Sequence, residues 1–458
     1  MTASNRSSRM DESRQGSSRA LPSISAGQRR SLLVARHHLG RTAVNPLAAI
    51  RSVAAMHSSD PATPYLGVWA RVLDFRLHQL DAALHEHRSL WRLHAMRRTL
   101  FVVPAKEAAI FQAGASQDVA RKERRKLEGW IAAEVASGEV KGPPARWLER
   151  AEARTLDVLA DGREWRTQGL SAAVHELSTQ ISVGTGKWNG RAPVSSRLLF
   201  LLAMEGRIVR TRPAGSWRSS QYHWAETQAW FGASGLDDGG ASGARDGRAS
   251  GPDDAGDWQR RDPPLTEKEG AAALLRLYLA THGPATLDDI RWWTGWTKTR
   301  SLAAVKAVDA VPVELEGHEH GPRGEGFVLP EDLPEVERAG PPTAPHTVTF
   351  LPGLDPTPMG WRERSWYLGP HGENGGPLFD RSGNVGPTVW LDGKVVGGWG
   401  QRPDGRVKYR FLETVDKAAK TSAKTRAREL TDWLDGVVVT PRFPTPLLRE
   451  LAKGDSSA

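Results

Sequence analysis

The sequence contains no cysteine, and this absence excludes several kinds of chemistry at once. Without a thiol the chain forms no disulfide, no thiolate-bound zinc site and no cysteine nucleophile. Its fourteen histidines occur in groups such as His85-Glu86-His87, and no group has the i, i+4 spacing with a third ligand that zinc enzymes show. We therefore expect no metal and no other cofactor.

Long apolar runs are missing as well. No stretch approaches the roughly 18 to 20 uninterrupted apolar residues that a membrane span requires. The first residues, MTASNRSSRMDESRQGSSRALPS, are polar and lack the apolar core of a secretory signal. These two absences predict a cytoplasmic protein without a membrane partner.

Charge is abundant and unevenly distributed. The 62 basic and 53 acidic residues give a net charge of +9. Residues 233–257 contain six aspartates and two arginines, so the rest of the chain sums to +13. A net charge this positive favours a polyanionic partner, and nucleic acid is the first candidate. Binding to nucleic acid also predicts association with the nucleoid. The alternative is a solubilising surface charge, which would be scattered and not clustered.

Length and composition divide the chain into seven segments. A chain of 458 residues exceeds one ordinary core, and about two to four folded domains are expected. Stretches that cannot bury an apolar face mark a tail and a linker. The predicted segments are a disordered tail (1–25), a first domain (26–105), a basic helical connector (106–147), a second domain (148–232), a flexible acidic Gly/Ala/Ser/Asp linker (233–264), a third domain (265–335) and a β-rich C-terminal domain (343–445).

The first three predicted domains share one order of elements, in which helices precede a short hairpin. This is the winged-helix pattern, where one helix enters the major groove and the hairpin contacts the backbone. We therefore predict an α+β protein with three tandem winged-helix modules plus a C-terminal β-rich domain. The helices are predicted over residues 28–39, 46–57, 63–69, 76–87, 148–159, 167–180, 194–205, 267–281, 286–294 and 297–308, and the hairpins over residues 89–103, 207–224 and 311–330.

The C-terminal segment is rich in glycine, proline and tryptophan. The pair Asp392-Gly393 between two apolar runs predicts a type I′ hairpin over residues 389–396. An amphipathic helix is predicted near residues 426–434. Among the eighteen tryptophans, Trp292, Trp293 and Trp296 crowd one helix and its end, where they stack on bases or, as is more common, belong to the core.

Basic side chains cluster where winged helices contact DNA. Contacts of this kind hold a duplex in register without reading its bases. A solvated surface charge explains any single one equally well, whereas the coincidence of several clusters indicates DNA contact. The candidate DNA-binding residues are Arg121, Lys122, Arg124, Arg125, Lys126, Lys187, Arg207, Arg210, Arg212, Arg218, Lys298 and Arg300.

One short segment, residues 55–61, combines several groups able to do chemistry. We predict that His57 ends an apolar helix, so that its imidazole emerges together with the hydroxyl of Ser59 and the carboxylate of Asp60. Such a group orients or deprotonates water, or places negative charge beside a developing cation. The alternative is that these residues have structural roles. Asp60, which precedes Pro61, is typical of a helix cap, and His57 is then a histidine of the hydrophobic core.

Several phrases of the sequence resemble the AlkZ/YcaQ-like winged-helix DNA glycosylases. They include HSSDPATPYLGVWARV with RRSLLVARHHL before it and LHEHRSLWRLHAMRRTLFVVP after it, then FLPGLDPTPMGWRERSW and GNVGPTVWLDGKVVGGW. The similarity extends from about residue 26 to residue 445. It implies three tandem winged helices that form a concave DNA channel, and a β-rich C-terminal part.

The resemblance also implies an activity, the hydrolysis of the N-glycosidic bond of N7-alkylguanine in duplex DNA. The family acts on bulky adducts and crosslinks made by genotoxic natural products, which implies DNA repair or self-resistance. Its signature, two glutamines flanking an apolar residue before an acidic-Pro step, falls on His57, Ser58 and Ser59, which depart from it. The implied roles are that His57 positions or deprotonates water, Ser59 shares it and Asp60 offsets the sugar cation.

A monomeric, monofunctional DNA glycosylase without an obligate protein partner is thus the predicted function. No lysine lies in the motif, which favours direct hydrolysis over Schiff-base chemistry. The alternative from another class is a non-catalytic winged-helix regulator, which would more often show one winged helix with a dimerisation or effector domain. A third reading is an architectural DNA-binding protein, which the charge alone supports.

Overall fold

The computed structural model describes residues 20–184, 190–232, 264–321, 323–340, 346–372 and 376–453. Most of the predicted tail, nearly all of the predicted acidic linker and the candidate residue Lys187 lie outside these ranges. Within them, no helix is long and apolar enough to cross a membrane.

The first region, residues 20–107, contains helices and a three-stranded antiparallel sheet of order β2-β4-β3. Pro46 lies in the first turn of its second helix, where a missing N–H costs nothing. The elements are β1 (Ser23–Ile24), α1 (Ala26–Arg36), α2 (Pro46–Arg51), β2 (Met56–His57), α3 (Thr63–Trp69), α4 (Leu77–His85), β3 (Leu90–His94) and β4 (Leu100–Pro104).

Helix α2 is shorter than its apolar periodicity predicts, and the difference changes the surroundings of His57. The helix ends at Arg51, and Ala54 then adopts a left-handed backbone with φ 59°, which a right-handed helix cannot include. Met56 and His57 pair with β4 as strand β2. The predicted helix over residues 46–57 is therefore wrong beyond Arg51, because tertiary pairing with the hairpin overrides local periodicity.

The second region, residues 108–232, repeats this order of elements with one insertion. Its three-stranded sheet has the order β5-β9-β8. Helix α8 ends at Ala173, because Val174 is extended. A 3-10 turn over His175–Ser178 then replaces most of the rest of the predicted helix over residues 167–180, and strand β6 begins at Gln180. The elements are α5 (Ala108–Phe111), α6 (Gln117–Ala136), α7 (Pro144–Leu159), β5 (Trp165–Arg166), α8 (Thr167–Ala173), β6 (Gln180–Val183), β7 (Gly190–Pro193), α9 (Ser195–Met204), β8 (Ile208–Pro213), β9 (Tyr222–Glu226) and α10 (Thr227–Gly232).

The third region, residues 264–340, has three helices before its hairpin. Thr266 and Thr286 each form a capping box, which fixes the starts of the first two helices. Ala285 bridges to β11, and β1 adds to the far edge of β10, so Ser23 and Ile24 lie in a strand although they fall in the predicted tail. The elements are α11 (Glu267–His282), α12 (Leu287–Thr294), α13 (Lys298–Ala307), β10 (Val311–Leu315), β11 (Gly324–Val328) and α14 (Leu333–Arg338).

The C-terminal region, residues 346–453, contains a four-stranded antiparallel sheet of order β12-β13-β14-β15. Asp392 and Gly393 have φ of 49° and 81°, which confirms the predicted turn with two left-handed residues. The elements are β12 (Val348–Leu351), α15 (Ser365–Leu368), β13 (Thr388–Leu391), β14 (Lys394–Gln401), β15 (Val407–Phe411), α16 (Lys417–Leu434) and α17 (Pro446–Ala452).

Most of the buried apolar side chains form one continuous core that does not follow the order of the chain. The main cluster joins the first, third and C-terminal regions, from Leu33 through Leu274 to Leu451. A second cluster, from Ala120 to Trp224, holds the second region together. The first, third and C-terminal regions therefore support one another, and a cavity between them can have walls from all three.

A buried ion pair joins the first region to the C-terminal region. The guanidinium of Arg71 donates to both carboxylate oxygens of Asp355 at 2.8 and 2.7 Å, and neither side chain is exposed. It also donates to the Gly67 carbonyl and to the Thr357 hydroxyl. A Cβ at Gly67 would lie 2.8 Å from the Met56 sulfur and 3.3 Å from Asp355, so glycine permits this close approach.

We expect that removing either partner of this pair costs about 3 to 5 kcal/mol of unfolding free energy, because the other charge stays buried without compensation. Arg71→Met and Asp355→Leu should each lower the urea midpoint strongly. The double variant should lose less than the two single losses added together, since no charge is then buried alone.

The exposed pair Arg410–Glu450 is a matched control, because its two side chains are 50% and 54% exposed. Arg410→Met should change the unfolding free energy by less than about 1 kcal/mol. Equal small losses at Arg71 and Arg410 would contradict a central role for the buried pair.

Candidate active site

His57 lies in a two-residue strand. Successive side chains of a strand point to opposite faces, so Ser58 points away from the side that His57 faces. His57 pairs with Phe101, and the Ser58 N–H donates to the Leu100 carbonyl at 2.8 Å. The Ser58 hydroxyl is buried and accepts a hydrogen bond from Arg92 Nε at 3.2 Å. Because side chains alternate along a strand, His57 is directed away from Arg92 and lines a cavity.

This cavity, here named the His57 cavity, has a volume of about 380 Å³. Its walls come from the first, third and C-terminal regions. No lysine, aspartate or glutamate lies among its lining residues, and no cluster of potential metal ligands occurs in the part of the chain described. The lining residues are Ala55, His57, Arg97, Thr99, Phe101, Trp292, Trp293, Leu354, Pro356, Met359, Arg364, Ser382, Gly383 and Asn384.

A tryptophan with two arginines forms one wall of the His57 cavity. The guanidinium carbons of Arg97 and Arg364 lie 4.5 and 4.8 Å from the ring centre of Trp292. Arg364 is held by hydrogen bonds to the carbonyls of Trp361 and Gly383. These contacts fix a flat aromatic surface and positive charge in the cavity, as suits a nucleotide.

No pattern in the sequence connects Arg97, Trp292 and Arg364 as a group. Trp293 and Trp296 are 6% and 7% exposed and belong to the core, as expected for most tryptophans. Trp292 is only half-buried, and it lies off the face of α12 that Ile290, Trp293 and Thr294 bury. Helical periodicity would have distinguished it, whereas the positions of Arg97 and Arg364 depend on tertiary contacts.

His57 is electrically neutral in its surroundings. Burial, with a contribution from the positive charge of Arg97, lowers the pKa of His57 to about 3. Its Nδ1 accepts the Ser59 N–H at 3.3 Å, which assigns the ring proton to Nε2. The imidazole is therefore a weak base and a hydrogen-bond donor at Nε2, so it is suited to position a water or a nucleotide oxygen and poorly suited to deprotonate water.

Asp60 does not face the His57 cavity. Its two carboxylate oxygens accept the backbone N–H groups of Ala62 at 3.1 Å and of Arg442 at 3.0 Å. Helix α3 has no side-chain cap, and Thr63 instead donates to the Gly353 carbonyl. Asp60 thus holds a turn against the C-terminal region, and it lines a second cavity.

Ser59 is half-buried and lies on the wall of neither cavity. Its N–H holds His57, and its carbonyl accepts from the Arg442 guanidinium at 3.5 Å. The structure therefore does not bring His57, Ser59 and Asp60 together around one space. Only His57 reaches the cavity that the three regions share.

Several candidate DNA-binding arginines form ion pairs inside the protein. Arg124 contacts Glu152 at 2.7 Å and Glu205 at 2.6 Å, and Arg207 contacts Glu152 at 2.8 Å. The Arg300 guanidinium donates to the Gly114 carbonyl at 2.7 Å. These side chains connect helices and strands, so each has a structural role whether or not it also contacts DNA.

The other candidates differ in their exposure to solvent. Arg125 and Lys298 are exposed and have no hydrogen-bond or ion-pair partner among the described residues. Burial lowers the pKa of Arg210 to about 10, and its guanidinium lies 5.0 Å from the ring centre of Trp224. The remaining candidates have the following partners: Asp118 and Glu267 for Arg121, Asp118 for Lys122, Glu123 for Lys126, Glu164 for Arg212 and the Val438 carbonyl for Arg218.

A protein-family model described as AlkZ-like DNA glycosylase matches residues 50–435. The chain belongs to the AlkZ-like DNA glycosylase family. It is therefore a glycosylase enzyme with DNA as its class of substrate. The solved structure of the Streptomyces sahachiroi DNA glycosylase AlkZ is similar, with a TM-score of 0.62 and 18% identity over 92% of this chain and 99% of that one. No curated protein matches the chain.

We expect the His57 imidazole to stay neutral from pH 8 down to about pH 4, because its pKa is lowered to about 3. In the unfolded chain a histidine binds a proton near pH 6.5. The unfolded state therefore takes up more protons as the pH falls below about 6.5, and His57 then favours unfolding.

Nitrogen chemical shifts of the His57 ring, followed by NMR during a pH titration, test this expectation. The folded protein should show an Nε2-protonated neutral ring throughout, and the chain unfolded in urea should titrate near its ordinary value. A folded-state midpoint near pH 6 or above would contradict the assigned tautomer and the effect of Arg97.

Proposed function

We propose that this family member is a monofunctional glycosylase that hydrolyses the N-glycosidic bond of N7-alkylguanine in duplex DNA. The observation that carries the proposal is the position of His57. The residue aligned with the first signature glutamine of the family lies on the wall of a cavity shared by three regions. Beside it are one half-exposed tryptophan and two arginines.

The three sheets with their helices are interpreted as three winged-helix modules. In the first two regions a short strand precedes the later helices and pairs with the second strand of the hairpin, as β2 does with β4 and β5 with β9. Ala285 makes the equivalent bridge to β11 in the third region. This shared topology supports tandem modules that bind one duplex along the backbone.

The His57 cavity is proposed to receive the alkylated nucleotide after it leaves the base stack. Its volume of about 380 Å³ falls within the range of small-ligand sites. Trp292 offers a ring on which a purine stacks. Arg97 and Arg364 offer positive charge to phosphate oxygens. No carboxylate lines the cavity to balance that charge, so the two arginines are proposed to contact the DNA backbone and not the cationic base.

The chemistry requires little of the protein, because alkylation at N7 makes the base a cationic leaving group. The C1′–N9 bond breaks, and its electron pair moves to the purine and neutralises that charge. The oxygen of water bonds to C1′ and releases a proton to solvent. A neutral His57 with its proton on Nε2 positions the water or a sugar oxygen through a hydrogen bond, and no strong base is needed.

The absence of lysine from the cavity walls supports direct hydrolysis over a Schiff-base mechanism. The positions of Ser59 and Asp60 give them supporting roles. Ser59 holds His57 through its N–H, and Asp60 holds the following turn through Ala62 and Arg442. Both are therefore proposed to position His57 and not to contact the substrate.

Release of the alkylated base is expected to depend on His57. His57→Ala should lower the single-turnover rate with N7-methylguanine duplex by roughly 10²-fold, the usual loss for a positioned catalytic group. His57→Gln should retain release within roughly tenfold, because an amide also positions water by hydrogen bonding. Asp60→Asn should lower stability more than the rate measured at low temperature, since Asp60 serves a turn.

The matched control is His78→Ala, because His78 is exposed at the start of α4 and lies on neither cavity. It should leave both the rate and the melting temperature unchanged. If the wild-type protein binds adducted duplex but releases no base from several N7-alkylguanine substrates, the proposal fails and a non-catalytic binding function becomes the better account.

Duplex binding is expected to depend on the exposed cations without protein partners. Arg125→Ala combined with Lys298→Ala should weaken binding of every sequence alike and reduce the slope of log K against log salt by about 2. By contrast, Arg124→Ala should mainly lower stability, because it removes the ion pairs to Glu152 and Glu205 and leaves these two carboxylates to share Arg207.

The matched control is the double variant Lys424→Ala with Arg428→Ala, which changes two exposed cations of helix α16. It removes the same charge from a surface without a predicted DNA contact. Fluorescence anisotropy at several salt concentrations measures all variants. Equal salt slopes for the two double variants would show that net charge, and not this surface, determines binding.

A further inference from the structure

A second cavity lies on the other side of the segment that contains His57. It has a volume of about 390 Å³ and is bounded by α3, the C-terminal sheet, the chain after α16 and helix α17. Asp60 lies on its wall, and we name it the Asp60 cavity. None of its lining residues is shared with the His57 cavity.

Two polar side chains on the wall of the Asp60 cavity, Gln401 and Trp399, are already engaged within the protein. Gln401 donates to the carbonyls of Gly405 and Val437 and accepts the Val439 N–H. The Trp399 indole donates to the Leu351 carbonyl at 2.8 Å. Buried polar groups that have partners gain little from a ligand, so this part of the wall presents no unsatisfied donor or acceptor.

Charge on the wall is limited to Asp60 and Arg449. Both oxygens of Asp60 accept backbone N–H groups, and the neighbouring Arg442 guanidinium reaches the Ser59 carbonyl. Arg449 is exposed to solvent on α17. An anionic ligand would meet the Asp60 carboxylate and a cationic ligand the two arginines, so neither sign of charge is favoured.

The rest of the wall is apolar and rigid. Five of its residues are prolines, which have no N–H donor and a fixed φ. Leu66, Leu434 and Leu448 contribute aliphatic side chains next to the Trp399 ring. A preformed wall of this kind binds a ligand without a large cost of reorganisation.

We propose that the Asp60 cavity is a binding site for an uncharged, mainly apolar small molecule that fits within about 390 Å³. Residues 453–458, which follow Ala452 in the sequence, are small or charged and match this apolar lining poorly. The site is separate from the cavity proposed for the nucleotide, so binding requires neither DNA nor base release.

The test uses the full-length protein without DNA and three probes of one shape. They are 2-methoxynaphthalene, which is neutral, 2-naphthoate, which is negative, and N-methylquinolinium, which is positive. Isothermal titration calorimetry should show one site for the neutral probe, and each charged probe should bind at least roughly tenfold more weakly, because its charge finds no partner.

Two variants locate the site. Ala452→Trp places an indole in the cavity from α17 and should abolish binding, whereas Ala136→Trp makes the same change at the exposed end of α6 and should bind the probe normally. If Ala452→Trp does not fold, intermolecular NOEs between the neutral probe and the methyl groups of Leu448 and Val439 in the wild-type protein take its place.

Three outcomes would overturn the proposal. The first is that no probe binds the wild-type protein, and the second is that a charged probe binds as tightly as the neutral one. The third is that binding survives in Ala452→Trp, or that NOEs to Leu448 and Val439 are missing. None of these outcomes depends on glycosylase activity, so the proposed function is tested independently.

Discussion

The ion pair between Arg71 and Asp355 determines how the two cavities are arranged. Asp355 lies in the middle of a loop whose residue Gly353 lines the Asp60 cavity and whose residues Leu354 and Pro356 line the His57 cavity. Arg71 follows helix α3 and fixes that loop through two hydrogen bonds to one carboxylate. A bidentate contact sets orientation as well as distance, so the walls of both cavities take their geometry from the same pair.

The positive charge of the chain serves two different purposes. Some arginines, such as Arg124, neutralise carboxylates that are themselves buried, and these lie between packed elements. Others keep their charge near solvent or near the cavity, as Arg97 does beside Trp292. A charge cluster in the sequence therefore contains both structural and surface residues. The share of structural residues in such a cluster depends on where their acidic partners lie in the fold. Those partners can be far away in the sequence.

Local patterns predicted a large part of the secondary structure. Helices α11 to α13 and the Asp392-Gly393 turn follow from periodicity, caps and the left-handed preference of single residues. Contacts between residues far apart in the sequence could not be predicted from such local patterns. Asp355 lies 284 residues after Arg71, and no spacing rule connects Arg97, Trp292 and Arg364.

His57 shows the same limit within a few residues. Its periodicity with Ile50 and Val53 indicated a helix, and all three side chains are at least partly buried. The backbone nevertheless becomes a strand, because the hairpin β3–β4 offers unpaired hydrogen-bonding groups at its edge. The family motif pointed to this position in the chain, whereas the direction of the side chain depends on the pairing partner of the strand.

The hydrogen bond from the Arg442 N–H to Asp60 has a consequence for synthesis of the protein. It joins two residues that are 382 positions apart in the chain. Domains generally begin to fold in order as the chain leaves the ribosome. The first region can therefore acquire its helices early, but the turn after His57 obtains its Arg442 partner only after residue 442 has left the ribosome. Until then the nascent chain holds the motif without that support, so this turn is completed by a residue synthesised 382 positions after Asp60.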